Sequence, residues 1–530
     1  MQTNATEPNR AQLSSRYDAV DVGFRAGFAF LLALAIAAGV ASLTWPLSWD
    51  EGIFAWIGST LLKGGTPYVD AWDVKGPVTY FVYALAEELF GHTAFAVRLF
   101  DLLISVTGTI AVFLLVSRYT NKRTALYAAP LFFLSLIGQG YNVLGQPDLW
   151  VGWCMVFSVW VTTETPTAKS VALACTFVGV AILIKPIYAA LVVVPLIPAL
   201  FAGSPSPSTQ LRMLWAAAAG CLAPIALCVA WYWQRHAAGE FLDAYIRANL
   251  ENSGAGRGGL LHAGSSILEF LLNRRAVLIA IPAIAIGLIS STGVVRWRNW
   301  MLGSWIATVI SLIVLQDRWF TYHWAPLYPP LALAASIGFF RVWHADKSGA
   351  ERFIRPLFVA LFAVLTLGAS VVPLKSVAAS ARLLTRRITV EQFDASFTDY
   401  PGIMTAADVR NATAYVAAHT KRTDKVFVWD DPQVNFLSQR ETVSRFAIWA
   451  PLLPLRGELT ARHKRNREEF FTALQLKPPT LVLIERSAWR NSPLVTVHYL
   501  PAKFPELANW IDAHYVAADT VGNFFVFRRP

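Results

Sequence analysis

The sequence predicts a polytopic α-helical membrane protein, amino terminus inside, that carries a C-terminal extracytoplasmic α/β domain. Three observations carry this prediction. About eleven apolar segments, each long enough to approach the ~20 residues a bilayer-crossing helix needs, run from Phe24 to Pro373. The chain is 55% hydrophobic and only 15% charged, which excludes a disordered chain and places most of it in lipid. Beyond residue 374 charge returns and apolar runs shorten, as in a water-soluble domain.

Taken in order, residues 1–23 form a polar cytoplasmic tail and 24–45 a first, uncleaved span, too long for a signal-peptide core. A first outer loop follows over 46–98. Within it Gly64-Gly65-Thr66-Pro67 marks a turn, and Val78–Ala86 is too short to cross, so it reads as an interfacial helix. Further spans are expected at 99–117, 124–141, 149–163, 170–184, 187–202, 213–233, 276–293, 300–315, 324–343 and 356–374. The region His236 to Arg275, Gly-rich around Ser253–Gly259, reads as a long outer loop, a lid or a linker. In the tail (375–530), Val426–Trp429, Thr480–Ile484 and Asn523–Arg528 read as strands, and 405–419 and 504–515 as helices.

Orientation follows from the short loops, because cytoplasmic loops collect Lys and Arg. With the amino terminus inside, Arg118, Lys122, Arg123, Lys169, Arg212, Arg296, Arg298, Arg341, Lys347, Arg352 and Arg355 all face the cytoplasm. The net charge of +11 is thereby explained by topology and anionic lipid rather than by nucleic acid. The four cysteines, Cys154, Cys175, Cys221 and Cys228, lie inside apolar segments without metal-ligand spacing, and read as small buried hydrophobes.

The same orientation sends Asp50, Glu51, Asp73, Lys75, Asp148, Lys185, Arg318 and His323 to the opposite face. Ionisable groups at membrane depth are costly and mark functional sites. Asp50, at the interface, suits a general base for an incoming hydroxyl; the plainer alternative is a helix N-cap. Lys75, ahead of Gly76-Pro77, and Lys185, ahead of Pro186, suit contacts to a phosphate; headgroup snorkelling is the alternative for each. Asp148 opens a span, where it either favours the helix N-terminus or orients a substrate. In the loop Gln316–Pro326, Arg318 and His323 suit an anionic headgroup, and Tyr322 can donate a hydrogen bond. Arg98 is less telling, because Asp101 offers it a helical salt bridge.

Five motifs carry a resemblance over residues 45–345: WDEGIFAWIGSTLLKGGTPYVDAWDVKGP (49–77), VRLFDLL (97–103), QPDLWVG (146–152), ILIKPIYA (182–189) and YHWAPLYPPLALAA (322–335). As a set they resemble the GT-C superfamily of polyprenyl-phosphate-sugar glycosyltransferases, of the family 39 type. That family includes lipid A aminoarabinose transferases, protein mannosyltransferases and rhizobial core galacturonosyltransferases. The resemblance implies a GT-C-like fold and inverting transfer of one sugar from a polyprenyl monophosphate. The acceptor would be an envelope glycan, lipid or protein at the outer face of the bacterial cytoplasmic membrane. The family's first-loop acid falls on Asp50, making it the candidate base with Glu51 in support. Its lysine before proline falls on Lys75 and its second-loop acid on Asp148. Here KGP stands where a lysine or histidine followed by two prolines is commoner. Asp73, Lys75, Lys185, Arg318, Tyr322 and His323 are the expected substrate contacts. No cofactor is required, although an acidic pair can bind a divalent cation. A transporter or flippase of a lipid-linked sugar is the alternative; against it, the chain shows no inverted repeat and its charges cluster at one face.

Overall fold

In the computed structural model, residues 10–164, 166–202, 205–252, 259–273, 275–289, 296–344, 351–400, 404–454, 458–489 and 500–530 are described. The chain begins with α1 (Arg10–Ser42), α2 (Trp49–Leu62), α3 (Pro77–Phe90), α4 (Ala94–Tyr119) and α5 (Lys122–Ile137). There follow α6 (Tyr141–Leu144), α7 (Pro147–Thr162), α8 (Ala168–Ile184), a 3₁₀ turn (Pro186–Val192), α9 (Val193–Phe201) and α10 (Pro207–Gln234). Over their described residues the eleven apolar segments coincide largely with helix; the end of the segment 276–293 lies outside the described residues. Among the described residues, five helices are by themselves long and apolar enough to cross a bilayer, and a bent pair makes a sixth. Others are shorter: α5 and α7 have 16 residues and α8 has 17, about 24–26 Å at 1.5 Å per residue.

The region 236–275 departs from expectation. It is largely helical: α11 (Ala238–Leu242), a π turn (Asp243–Arg247), α12 (Ala248–Asn252) and α13 (Gly259–Asn273). The glycines suggested a loop, but Phe241, Ala244, Tyr245 and Ala248 recur at helical spacing and are buried. Most of the Gly-rich stretch Ser253–Gly259 lies outside the described residues. Next come α14 (Arg275–Ile289), α15 (Arg296–Gln316), a second 3₁₀ turn (Thr321–Leu327), α16 (Tyr328–His344) and α17 (Glu351–Leu384).

The C-terminal part comprises α18 (Val390–Asp394), a hairpin of β1 (Thr398–Tyr400) and β2 (Met404–Thr405), α19 (Ala406–His419), β3 (Val426–Val428), α20 (Pro432–Ser438) and α21 (Ala461–Leu476). It ends with β4 (Leu481–Glu485), α22 (Arg486–Trp489), α23 (Leu500–Lys503), α24 (Pro505–His514), β5 (Val516–Val521) and β6 (Phe524–Arg528). The main sheet has order β3-β4-β6-β5, with β3 parallel to β4 and the other pairs antiparallel. Successive residues of β3 and β4 face opposite sides. Val426, Val428, Leu481 and Leu483 pack with α19, whereas Phe427, Trp429, Val482 and Ile484 join the apolar core shared with the membrane helices. Both faces are covered, which is why these strands are apolar runs without alternation. The same packing seats the C-terminal part on the segment 46–98 that carries Asp50.

Candidate active site

Proline and glycine set the local geometry of the site. Pro147 takes the first position of α7, where its missing N–H costs nothing, and leaves Asp148 in the first turn. Lys185 precedes Pro186 and is driven into extended backbone (φ −157°, ψ 123°), which ends α8. Gly76 donates its N–H to the Ile184 carbonyl at 2.9 Å, and a side chain there would collide with the Leu183 carbonyl oxygen. The KGP variant therefore has a steric reason: Gly76 lets the turn carrying Lys75 lie directly on the chain end carrying Lys185.

The result is a cationic pair around one buried carboxylate. Lys75 Nζ lies 3.7 Å from Asp148 Oδ2, and Lys185 Nζ lies 3.5 Å from Asp148 Oδ1. Tyr188 donates its hydroxyl to Oδ1 at 2.5 Å. Asp148 Oδ2 is buried and accepts no hydrogen bond from the described residues. Buried polar atoms of this kind call for an explanation, and a site that takes a ligand is one. The two lysine side chains keep 11% and 14% of their surface exposed while Asp148 keeps 1%, so the lysines form the more open side of the cluster. The Tyr322 ring lies 5.0 Å from Lys75 Nζ, so it meets the lysine as a cation–π partner.

His323 stands against Lys185. It is buried; its Nδ1–H donates to the Arg318 carbonyl at 2.7 Å, and Nε2 faces Lys185 Nζ at 3.2 Å. Burial, followed by the Lys185 charge, pulls its pKa down to about 3. With Nδ1–H donating to Arg318, Nε2 is placed to accept from Lys185. Burial also pulls Lys185 down, to about 8, against the opposing charge of Asp148. Arg318 is half-buried and near enough to Lys185 to depress it further.

Asp50 occupies the first turn of α2, half-buried. The N-cap is Ser48, so capping does not account for Asp50. Its Oδ2 accepts from Gln146 Nε2 at 2.8 Å. Gln146 stands two residues before Asp148, and so ties the candidate base to the lysine-bound carboxylate. The sequence reading missed Gln146, whose role shows only once the two loops meet.

Glu51 is closed off. Both its oxygens accept from Arg98, at 2.7 and 2.6 Å, and Oε2 also accepts the Ser48 N–H at 2.7 Å. Both side chains are fully buried. Burial raises the Glu51 pKa and Arg98 opposes it. Asp101, the partner expected for Arg98, stands at 3.9 Å and is the lesser contact. Glu51 thus fixes the start of α2 beside Asp50.

Asp73 is buried and accepts from Tyr80 at 3.1 Å; burial raises its pKa, against the opposing Lys75 charge. The Tyr68 and Tyr80 hydroxyls converge on the Lys75 carbonyl at 2.7 and 3.0 Å and hold the turn. The C-terminal part braces the same loop. Trp49 Nε1 donates to the Asp430 carbonyl at 2.5 Å, Gln433 Nε2 to the Leu47 carbonyl at 3.2 Å, and Arg445 Nη1 to the Tyr68 carbonyl at 2.6 Å. Among the described residues no group of three or more His, Cys, Asp and Glu side chains could hold a metal ion.

Residues 74–233 match the model of the dolichyl-phosphate-mannose-protein mannosyltransferase family. The structure of ArnT from Cupriavidus metallidurans bound to undecaprenyl phosphate aligns with 94% of this chain and 97% of its own, at a TM-score of 0.63 and 14% identity. The apo state of the same protein gives the same coverage, with a TM-score of 0.61 and 13% identity. No curated protein matches the sequence significantly. The fold of ArnT is thus shared over nearly the whole chain, and the family match spans the segment that holds Lys75, Asp148 and Lys185.

Proposed function

We propose that the protein moves a single sugar from a polyprenyl monophosphate to an envelope acceptor, with inversion, at the outer face of the bacterial cytoplasmic membrane. The observation that carries this reading is the pair Lys75 and Lys185, ammonium groups converging on one buried carboxylate beside Asp50. In this reading the chain crosses the membrane eleven times, and residues 375–530 lie outside it.

The acceptor hydroxyl gives its proton to Asp50 as its oxygen bonds to the sugar's anomeric carbon. The bond from that carbon to the phosphate oxygen breaks, and both its electrons leave with the lipid phosphate. Charge grows on the phosphate in the transition state, and Lys75 and Lys185 stabilise it there. One positioned donor of this kind changes a rate by roughly 10²–10³. Asp148 holds the two lysines in place before the lipid arrives, and neutral His323 aims Lys185. Cationic character at the anomeric carbon favours a carboxylate opposite the leaving group. The ArnT protein that shares the fold was crystallised bound to undecaprenyl phosphate, which supports a lipid phosphate as the ligand of these lysines.

The test is a mass-spectrometric comparison of envelope glycolipids, glycans and glycoproteins from cells with and without the protein. Loss of one sugar from one species, restored by wild type and not by Asp50→Asn, is expected. Accumulation of lipid-linked sugar on the inner leaflet without such a loss would replace transfer by flipping.

A further inference from the structure

A cavity of about 940 Å³ lies between α5, α14, α16 and α17, away from the lysine pair. Its walls are apolar and aromatic, and its two ends differ. At one end α5 meets α16 through Tyr328, whose hydroxyl donates to Gln139 Oε1 at 3.1 Å. At the other end Arg123, His344 and Arg355 line the cavity. The two helices run antiparallel. From Arg123 to Gln139, and from Tyr328 to His344, each advances about 24 Å at 1.5 Å per residue. The basic end therefore lies close to a bilayer core's thickness (~30 Å) from the neutral end.

The neutral end belongs to the face of the active site, because Tyr328 directly follows the turn that holds His323. The basic end is thus in the opposite leaflet from Lys75 and Lys185. Trp343, 60% exposed, stands beside that end where an interfacial tryptophan belongs. Arg355 Nε donates to the Val342 carbonyl at 3.2 Å, which fixes its guanidinium at the rim.

A membrane-facing groove fills with lipid whatever its lining; the arginines at one end select the headgroup. We propose that this groove binds an anionic phospholipid of the inner leaflet. The phosphate sits between Arg123 and Arg355, and an acyl chain runs along the apolar walls toward Gln139. The lipid-linked donor is a poor fit in this orientation, since its phosphate belongs at the other end. The inference rests on the orientation proposed above, with the active site at the outer face, and not on the chemistry of transfer.

The test uses the full chain purified in detergent and offered equimolar phosphatidylglycerol and phosphatidylethanolamine, with retained lipid counted by native mass spectrometry. A basic side chain near the headgroups contributes a preference of about fivefold, so phosphatidylglycerol should be favoured and Arg123→Gln with Arg355→Gln should abolish that preference. Ala335→Trp, which fills the groove, should reduce retention of both lipids while leaving the charges in place. Equal retention of the two lipids by wild type would overturn the proposal, as would an unchanged preference in the double arginine variant. Displacement of phosphatidylglycerol by undecaprenyl phosphate would also overturn it, by assigning the groove to the donor.

Discussion

Glu51 and Asp148 are both buried carboxylates facing basic side chains, and the difference between them separates scaffold from site. Glu51 meets a planar guanidinium with both oxygens, takes a backbone N–H as well, and shares full burial with its partner. Every charge there is used. Asp148 meets two lysines at 3.5 and 3.7 Å, leaves one oxygen without a hydrogen bond from the described residues, and faces side chains that keep part of their surface exposed. Arginine forks suit a permanent pair; lysines, as point charges on flexible stems, suit one that must exchange its partner for a phosphate. A buried ion pair by itself is weak evidence of function, and the unsatisfied one is the informative one.

The comparison breaks most visibly at Arg98. Arg98→Met strands the Glu51 charge and should cost about 3–5 kcal/mol of stability, read as loss of folded protein in a thermal melt. If Lys185→Met destabilised the fold as much, the distinction between the two carboxylates would collapse. Lys185→Met should instead melt near wild type and lower kcat/KM for the lipid-linked donor by roughly 10²–10³.

A smaller effect tests the brace from the C-terminal part. A side chain at Gly52 would collide with Gln433. Gly52→Ala should therefore lower kcat by about tenfold, comparable to losing one or two hydrogen bonds, and Gln433→Gly in the same chain, which removes the colliding Cβ, should restore most of it. Failure of that rescue would uncouple the C-terminal part from the placement of Asp50.

The smallest expected effect is on pH. Lys185 titrates below the usual lysine range, at about 8, so its proton is lost as pH rises through that value. Donor kcat/KM, which reports the free enzyme, should fall above about pH 8. Lys185→Arg, charged throughout, should remove that limb from the profile.

Much of this was legible in the sequence for a physical reason. Burial in lipid demands long apolar runs, so the helices announce themselves, and charges at their ends stand out against that background. Asp50, Lys75, Asp148 and Lys185 were all visible in this way. Gln146 was not, because its meaning comes from meeting Asp50, a residue on a different loop. The Arg98–Glu51 pair was hidden by the nearer Asp101. The neutrality of His323 depends on burial beside a lysine 138 positions away. β5 was missed because its residues are largely exposed and show no apolar pattern, and α11–α13 because glycine punctuation outweighed a helical spacing.

The central claim is that Asp50 takes a proton while Lys75 and Lys185 receive a lipid phosphate. The most direct measurement incubates purified protein with radiolabelled sugars on undecaprenyl monophosphate and an envelope extract. It follows covalent product, and it measures binding of undecaprenyl phosphate alone. Asp50→Asn is expected to lose transfer by roughly 10²–10⁴ and still to bind undecaprenyl phosphate like wild type. Transfer by Asp50→Asn at the wild-type rate, or label that changes leaflet without joining any acceptor, would contradict it.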